Sequence, residues 1–361
     1  MAGPHRALAE TRNAVESAFR DAGIDAGSRV LLAVSGGSDS MALAQAALFV
    51  ASRAGVLAAS LTVDHGWRQD SPDEARATRD RLAGLGADPA LIMTLASGAR
   101  RGAGGPEAAS RAARYAALAR AARTLGGEPA GSRPPATVLL GHTADDQAET
   151  VLLGLARGSG ARSIAGMPAA STVPGAPDVP VLRPFLGLRR SLLREALASE
   201  GVGWVEDPTN GPDSPVRAAD GTPLRRAAVR HHSLPALEED LGPGVVEALA
   251  RTAALLRADT EALDSIAREH ATRLGSEPDV DGLRSLPQAV RTRILRSAAI
   301  AAGARPGELT SWHITRLDGL VASRRGGARL HLPGVGVELS AGRVIFDSAG
   351  ARRRKEGHGR A

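Results

Sequence analysis

The stretch Ser35-Gly36-Gly37-Ser38-Asp39-Ser40 lies between an apolar run, Val30-Leu31-Leu32-Ala33-Val34, and a helix-forming run, Met41-Ala42-Leu43-Ala44-Gln45-Ala46-Ala47-Leu48. A strand that turns through glycines into a helix makes a phosphate cradle. The glycines let the backbone approach an anion with no Cβ in the way. The free N–H groups and the positive dipole end of the helix then favour negative charge. The hydroxyls of Ser35, Ser38 and Ser40 add donors. No Gly-Lys-Ser/Thr is present, so this is not a Walker loop.

Outward from this loop, short apolar runs alternate with helical stretches. The runs Val30–Val34, Val56–Val63, Ala90–Leu95 and Thr137–Leu140 are separated by helical patterns near 41–53, 72–86, 106–125 and 144–156, after an opening helix near 5–22. This alternation predicts a doubly wound α/β domain, with a parallel sheet covered on both faces and ligands beyond the carboxyl ends of its strands. Gly126–Ala136 and Ala170–Pro180 read as surface loops, Arg189–Glu200 as a helix and Pro208–Pro223 as a linker. Leu237–Leu274 is strongly helical, with Leu241, Val245, Leu249, Leu256, Leu263 and Ile266 at its apolar positions. Helices over about 285–302 and 310–323 and short strands at Leu330–Leu332, Val335–Leu339 and Arg343–Phe346 complete the chain. The expected organisation is an α/β domain with the phosphate loop over 1–215, a linker over 216–236, and a smaller, mainly helical domain with a small β element and a basic tail over 237–361.

Composition bounds the function. A length of 361 residues suggests two domains. Aromatic residues make up only 2% of the chain, so its core must be built from Ala, Leu and Val. The net charge of +6 is modest, although the tail Arg352-Arg353-Arg354-Lys355 can add non-specific phosphate affinity. There is no cysteine, which excludes disulfides, iron–sulfur clusters and thiol catalysis. Met1–Arg6 lacks an apolar signal core and no run is long enough to cross a bilayer, so a soluble, cytoplasmic protein without a membrane partner is expected.

Further motifs fall at the same end of the expected sheet. In Gly141-His142-Thr143-Ala144-Asp145-Asp146-Gln147-Ala148-Glu149-Thr150, Thr143 is an N-cap and Asp145 and Asp146 occupy the first helical turn. Asp146 and Glu149 share a helix face, and His142 at the lead-in can turn back toward them. With Asp39, the carboxylates Asp145 and Asp146 can hold Mg²⁺ together with nucleotide oxygens, although a capped helix start with a solvated acidic face would look the same. Asp64-His65-Gly66-Trp67-Arg68 follows the second strand, where an adenine or substrate pocket would form. Arg111 and Arg114 share a helix face and can bind phosphate or carboxylate.

The loop resembles the pyrophosphatase-type loop (PP-loop) of N-type ATP pyrophosphatases, and the motifs together resemble the tRNA(Ile)-lysidine synthetase family. Ser35–Ser40 matches its SGGxDS loop, and Asp64–Arg68 resembles NHG-x-R with Asp for Asn. Arg111–Tyr115 resembles RxxRY, Asp145–Thr150 matches DDQAET, and Arg157-Gly158-Ser159-Gly160 and Gly166-Met167 follow. Arg183–Leu186 resembles RPLL, Trp204–Asn210 matches W-x-E-D-P-S/T-N, and His231–Leu237 resembles HExLPxL with His232 for Glu. The resemblance implies a ligase that adenylates C2 of the wobble cytidine in the CAU anticodon of tRNA(Ile) and then joins L-lysine to it. The products would be lysidine, AMP and pyrophosphate, and decoding would change from AUG to AUA and charging from Met to Ile. It implies ATP as substrate on Ser35–Ser40, Asp64 and His65, and Mg²⁺ on Asp39, Asp145 and Asp146. It further implies Asp39, His142, Asp146, Glu149, Arg111 and Arg114 as the reaction-site residues. A homodimer is left open.

One departure stands out. The family's RNRIR run corresponds to Arg226-Ala227-Ala228-Val229-Arg230, after an insertion near Asp213–Thr222. Two alternatives accompany this reading. A thiolase of the same loop type is opposed by the lack of cysteine. A non-catalytic RNA-binding protein is opposed by the intact Asp39, Asp145, Asp146 and Glu149.

Overall fold

In the computed structural model, residues 4–64, 70–95, 105–127, 133–158, 160–206, 211, 224–323 and 327–347 are described. They form two compact units. The first contains residues up to Arg157 and Gly166–Ala254, and the second Gly158–Ala165 and the chain from Leu255 on.

The first unit is built on β1 (Arg29–Ala33), β2 (Leu57–Asp64), β3 (Ala90–Thr94), β4 (Thr137–Leu140), β5 (Ala170–Val173) and β6 (Ala176–Leu182). Their spatial order is β3-β2-β1-β4-β6-β5, and only β5 runs antiparallel to its neighbour. Crossovers are made by α2 (Ser38–Ala54), α3 (Ser71–Gly84) and α4 (Gly105–Leu125), with α1 (Arg6–Asp21), α5 (Ala144–Ala156) and α7 (Arg190–Ser199) completing the layers. Successive strand residues point to opposite faces. Val30 and Leu32 of β1 therefore pack with Phe19, Met41, Leu193 and Leu197, while Leu31 packs with Leu61, Tyr115, Leu118 and Val138. A strand buried on both faces reads as a continuous apolar run, which is why these strands are legible in sequence.

The segment Ala170–Pro180, expected to be a loop, is instead the β5–β6 hairpin. Gly175 turns it at φ +81°, and β6 pairs in parallel with β4 at Val138↔Val181 and Leu139↔Leu182. Val179 and Val181 are fully buried, so apolar alternation outweighs the local Pro and Gly. The expected linker Pro208–Pro223 lies outside the described residues except for Gly211.

The first unit continues through α8 (Arg225–Ala228), a π-helical turn over Val229–Ser233, α9 (Leu234–Leu241) and the start of α10 (Val245–Leu274). On α10 the buried positions are Val246, Ala253, Thr260 and Ala267, every seventh residue, whereas Ile266 is 43% exposed and Leu241, at the end of α9, is 72% exposed. In the second unit, α11 (Val280–Arg284), α12 (Gln288–Ala301) and α13 (Ser311–Ser323) pack with the antiparallel strands β7 (Arg329–Leu332), β8 (Val335–Ser340) and β9 (Arg343–Asp347). Leu283, Leu295, Leu317, Val335 and Val344 form its core. The short α6 (Ala161–Ile164) also belongs to this unit. Among the described residues no helix is long and apolar enough to cross a membrane.

Candidate active site

The loop after β1 behaves as its sequence demands. Gly36 adopts φ +88°, and a Cβ there would meet Thr78 Oγ1 at 2.8 Å. Gly37 is the N-cap of α2 and supplies no side-chain cap, so the first N–H groups of the helix stay open to an anion. Ser40 Oγ donates to the Gly37 carbonyl (2.9 Å) and accepts from Ser35 N–H (3.2 Å), and Ser38 Oγ donates to Asp39 Oδ1 (3.2 Å). Two of the three hydroxyls expected to face phosphate thus hold the loop and its carboxylate in place.

The turn after β4 is packed directly on this loop. A Cβ at Gly141 would meet the Asp39 carbonyl oxygen at 2.8 Å, so only glycine allows the approach that brings α5 beside Asp39. At the start of α5, Thr143 and Asp146 form a reciprocal capping box. Asp146 Oδ2 accepts from Thr143 N–H (2.9 Å) and Thr143 Oγ1 (3.0 Å), which leaves Oδ1 turned outward.

Three arginines converge on these acids. Arg190 Nε donates to Asp39 Oδ2 at 2.8 Å, and its Nη2 lies 3.4 Å from Asp146 Oδ1. Arg230 Nη2 is also 3.4 Å from Asp146 Oδ1, and Arg226 Nη2 is 3.8 Å from it. One turn further along α5, the fully buried Glu149 accepts from Arg226 Nε at 2.7 Å and Arg230 Nε at 2.6 Å. Asp145 turns away: its Oδ2 accepts the Arg190 backbone N–H at 2.8 Å, and Arg189 lies 3.4 Å from Oδ1.

The cavity between the loop and α5 has a volume of about 240 Å³. Ser35, Asp39, Ser40, His142, Asp146, Arg114, Arg190 and Arg230 line its polar side, and Val34, Leu61, Val63 and Leu118 its apolar side. Burial holds the Asp39 carboxyl above its usual range, only partly opposed by Arg190. Asp146 is more deeply buried still, but Arg190, His142, Arg226 and its cap hold it below the usual carboxylate range. The two differ because Asp146 faces three guanidiniums and Asp39 one. Burial pulls His142 down to about 4, with Asp146 opposing. Burial also lowers Arg114 from its ordinary value. His142 Nδ1 and Arg114 Nε are buried and have no hydrogen-bond partner among the described residues. Both side chains line the cavity, and an orphaned polar atom beside it marks a place where a bound ligand or water can supply the missing partner.

The fold therefore brings Ser35, Asp39, Ser40, Arg114, His142 and Asp146 around one cavity, with Gly36, Gly37 and Ser38 in its loop. Glu149 lies behind them under Arg226 and Arg230. Arg111 sits one turn from Arg114 and donates to Tyr115 Oη at 3.3 Å. Asp64 is buried and accepts from Ser71 Oγ at 2.7 Å, and His65 lies outside the described residues. Sequence reasoning missed Arg190 altogether and treated Arg226 and Arg230 only as part of a departure from a motif. A signal for Arg190 existed: two arginines open α7, whose first turn holds no acid, and cations are disfavoured at that end of the helix dipole unless a carboxylate meets them.

Asp39 and Asp146 offer a purely oxygen donor pair bridged by a cationic group, which fits a hard cation such as Mg²⁺. Among the described residues no three His, Cys, Asp or Glu gather into a metal cage. Phosphate oxygens and water would complete its shell, as is usual for Mg²⁺.

Comparison with known proteins agrees with this geometry. Residues 8–237 match the family model described as a PP-loop domain, and residues 279–345 match the TilS substrate binding domain. The tRNA(Ile)-lysidine synthase of Thermobifida fusca is 47% identical over 92% of this chain and 95% of its own. That of Streptomyces coelicolor is 43% identical over 95% of this chain and 99% of its own. Among solved structures, the U34-tRNA thiolase NcsA from Methanococcus maripaludis shares the fold, with a TM-score of 0.52 at 16% identity over 70% of this chain and 80% of that one. Relatives this similar along almost their whole length, together with the two family models matched in this chain, establish that it belongs to the tRNA(Ile)-lysidine synthase family.

Proposed function

We propose that this chain uses ATP to form lysidine on tRNA(Ile), as a ligase that makes a C–N bond, with L-lysine as the amine donor. The near-full-length similarity to tRNA(Ile)-lysidine synthases carries the reading, and the cavity where the phosphate loop meets His142 and Asp146 supports it. The open N–H groups of the loop and of α2 hold the ATP phosphates, while the apolar wall from Val34 to Leu118 offers a place for the base. O2 of the wobble cytidine attacks the α-phosphorus, and the bond to pyrophosphate breaks. Adenylation turns a poor leaving oxygen into a good one. The lysine ε-amine then attacks C2, and AMP leaves.

Asp39 and Asp146 would hold Mg²⁺, which supplies charge neutralisation on the departing pyrophosphate. Arg114 faces the same cavity and is suited to phosphate. The ammonium of lysine must lose a proton before it attacks. His142 lines the cavity beside Asp146, so it is the group assigned to take that proton from the bound amine, with the Asp146 carboxylate stabilising the imidazolium formed. Glu149, saturated by Arg226 and Arg230, positions those arginines rather than acting as a base. The substrates place the reaction in the cytoplasm.

The test is incubation of the purified protein with a CAU-anticodon tRNA(Ile) transcript, ATP, Mg²⁺ and labelled lysine, followed by nucleoside mass spectrometry. Lysidine at the wobble position supports the reading; unmodified cytidine after complete ATP turnover would overturn it.

A further inference from the structure

Arg190 has no role in the reading so far, yet its side chain makes the central contact of the site. Each of the two cavity carboxylates has one oxygen committed to its own helix start. Asp39 Oδ1 takes the Ser38 hydroxyl, and Asp146 Oδ2 takes both donors of Thr143. The remaining oxygens, Asp39 Oδ2 and Asp146 Oδ1, are the ones Arg190 reaches, at 2.8 and 3.4 Å; it shares Asp146 Oδ1 with Arg230 at 3.4 Å and Arg226 at 3.8 Å. A metal shared by these carboxylates needs the same two oxygens. Guanidinium and metal are therefore alternatives at Asp39 Oδ2, where Arg190 is the ion-pair partner among the described residues.

The root of Arg190 is held by a backbone hydrogen bond and its head by the two carboxylates. Asp145 Oδ2 holds its backbone N–H at 2.8 Å at the first residue of α7. Its neighbours are occupied elsewhere: Arg189 with Glu238 and Glu247, Arg194 with Glu206. The flexible Arg190 stem thus carries a planar five-donor head at the wall of the cavity that also contains the phosphate loop. Phosphate oxygens accept such a fork readily.

We propose that Arg190 is a built-in substitute for the catalytic cation. It neutralises Asp39 and Asp146 when no metal is bound, releases both carboxylates when ATP enters with its metal, and turns its guanidinium to the phosphates. This rests on the ATP-dependent reading above and adds a gating contact to it. Asp39 and Asp146 then never face each other uncompensated, and free metal is kept from binding tightly before ATP arrives.

The test uses the full chain and Mn²⁺ as a spectroscopic probe, with binding followed by electron paramagnetic resonance in the absence of ATP. Arg190→Gln is expected to bind Mn²⁺ at least tenfold more tightly than wild type, with Arg190→Lys in between. The gain should vanish in Asp39→Asn/Arg190→Gln. The same Arg190→Gln protein should bind ATP with Mn²⁺ at least tenfold more weakly, because the fork to the phosphates is lost. Mn²⁺ affinity within twofold of wild type in both Arg190→Gln and Arg190→Lys would overturn the proposal. Thermal melts confirm folding, and Arg190→Lys keeps the test decisive if Arg190→Gln is unfolded. Lysidine formation by wild type in the same preparation separates failure of the ligase reading, which would leave the Mn²⁺ result standing.

Discussion

Replacing Glu149 by Gln probes the arginine clamp with little change of volume. Glu149 is fully buried, while the side chains of Arg226 and Arg230 are 33% and 25% exposed. Glu149 accepts three bonds from the two guanidiniums, and the neutral amide offers one acceptor oxygen where the carboxylate offers two, so one or two charge-assisted bonds are lost and the rest weakened. Hydrogen bonds to charged groups contribute about 1.5–3 kcal/mol each, and uncoupling a buried ion pair costs about 3–5 kcal/mol. Partial hydration of the two guanidiniums and the nearby Asp146 recover some of this, leaving a loss of about 3 kcal/mol. For a unit of this size that lowers the melting temperature by roughly 6–12 °C. The control is Asp178→Asn, which breaks an equally close bidentate pair with Arg123 at 2.7 and 2.8 Å, both partners being 48% exposed. Exposed pairs contribute about 0–1 kcal/mol, so its shift should be no more than about 4 °C. Differential scanning calorimetry of the three proteins reads the comparison, and amide exchange over Arg225–Ser233 should quicken only in Glu149→Gln. Equal melting shifts for the two variants would show that burial of Glu149 does not strengthen its pairs, and would refute the reasoning.

Three further outcomes are expected. His142 has its folded pKa lowered to about 4 from 6.5, so the unfolded chain binds more protons between those values, and stability is lost as pH falls through that window. Between pH 7 and pH 5 this amounts to about 2 kcal/mol; denaturant titrations of wild type and His142→Asn should differ by that slope, and parallel curves would disprove it. Gly141→Ala drives a Cβ into the Asp39 backbone, with contacts at 2.8 and 3.1 Å that no side-chain rotation relieves, and should cost about 1–3 kcal/mol along with ATP binding, as read by melting and nucleotide titration. Ornithine should be incorporated into the tRNA at least tenfold less than lysine in a competition assay; equal incorporation would mean that the pocket does not measure chain length.

Local chemistry determined a large share of this protein from sequence alone. The β1–loop–α2 unit is legible because its requirements are carried by adjacent residues: a doubly buried strand, a glycine at positive φ and an uncapped helix start. The α5 start is legible for the same reason, since Thr143 and Asp146 satisfy each other three residues apart. The hairpin Ala170–Leu182 was not, because its Pro and Gly mask a short apolar alternation that becomes a strand only when β6 pairs with β4 and β5. Nor was the stripe on α10, where Ile266, expected at an apolar position, turned out to be exposed, as did Leu241 at the end of α9. The cationic half of the site was hidden most completely. Arg190 meets Asp39 across 151 residues and Arg230 meets Glu149 across 81, and in an arginine-rich chain nothing local tells a guanidinium that will neutralise a buried carboxylate from one that faces water. The phosphate loop and its acids follow from sequence because the backbone itself demands them. Which charges compensate those acids depends on desolvation, and desolvation exists only once the chain has closed around them.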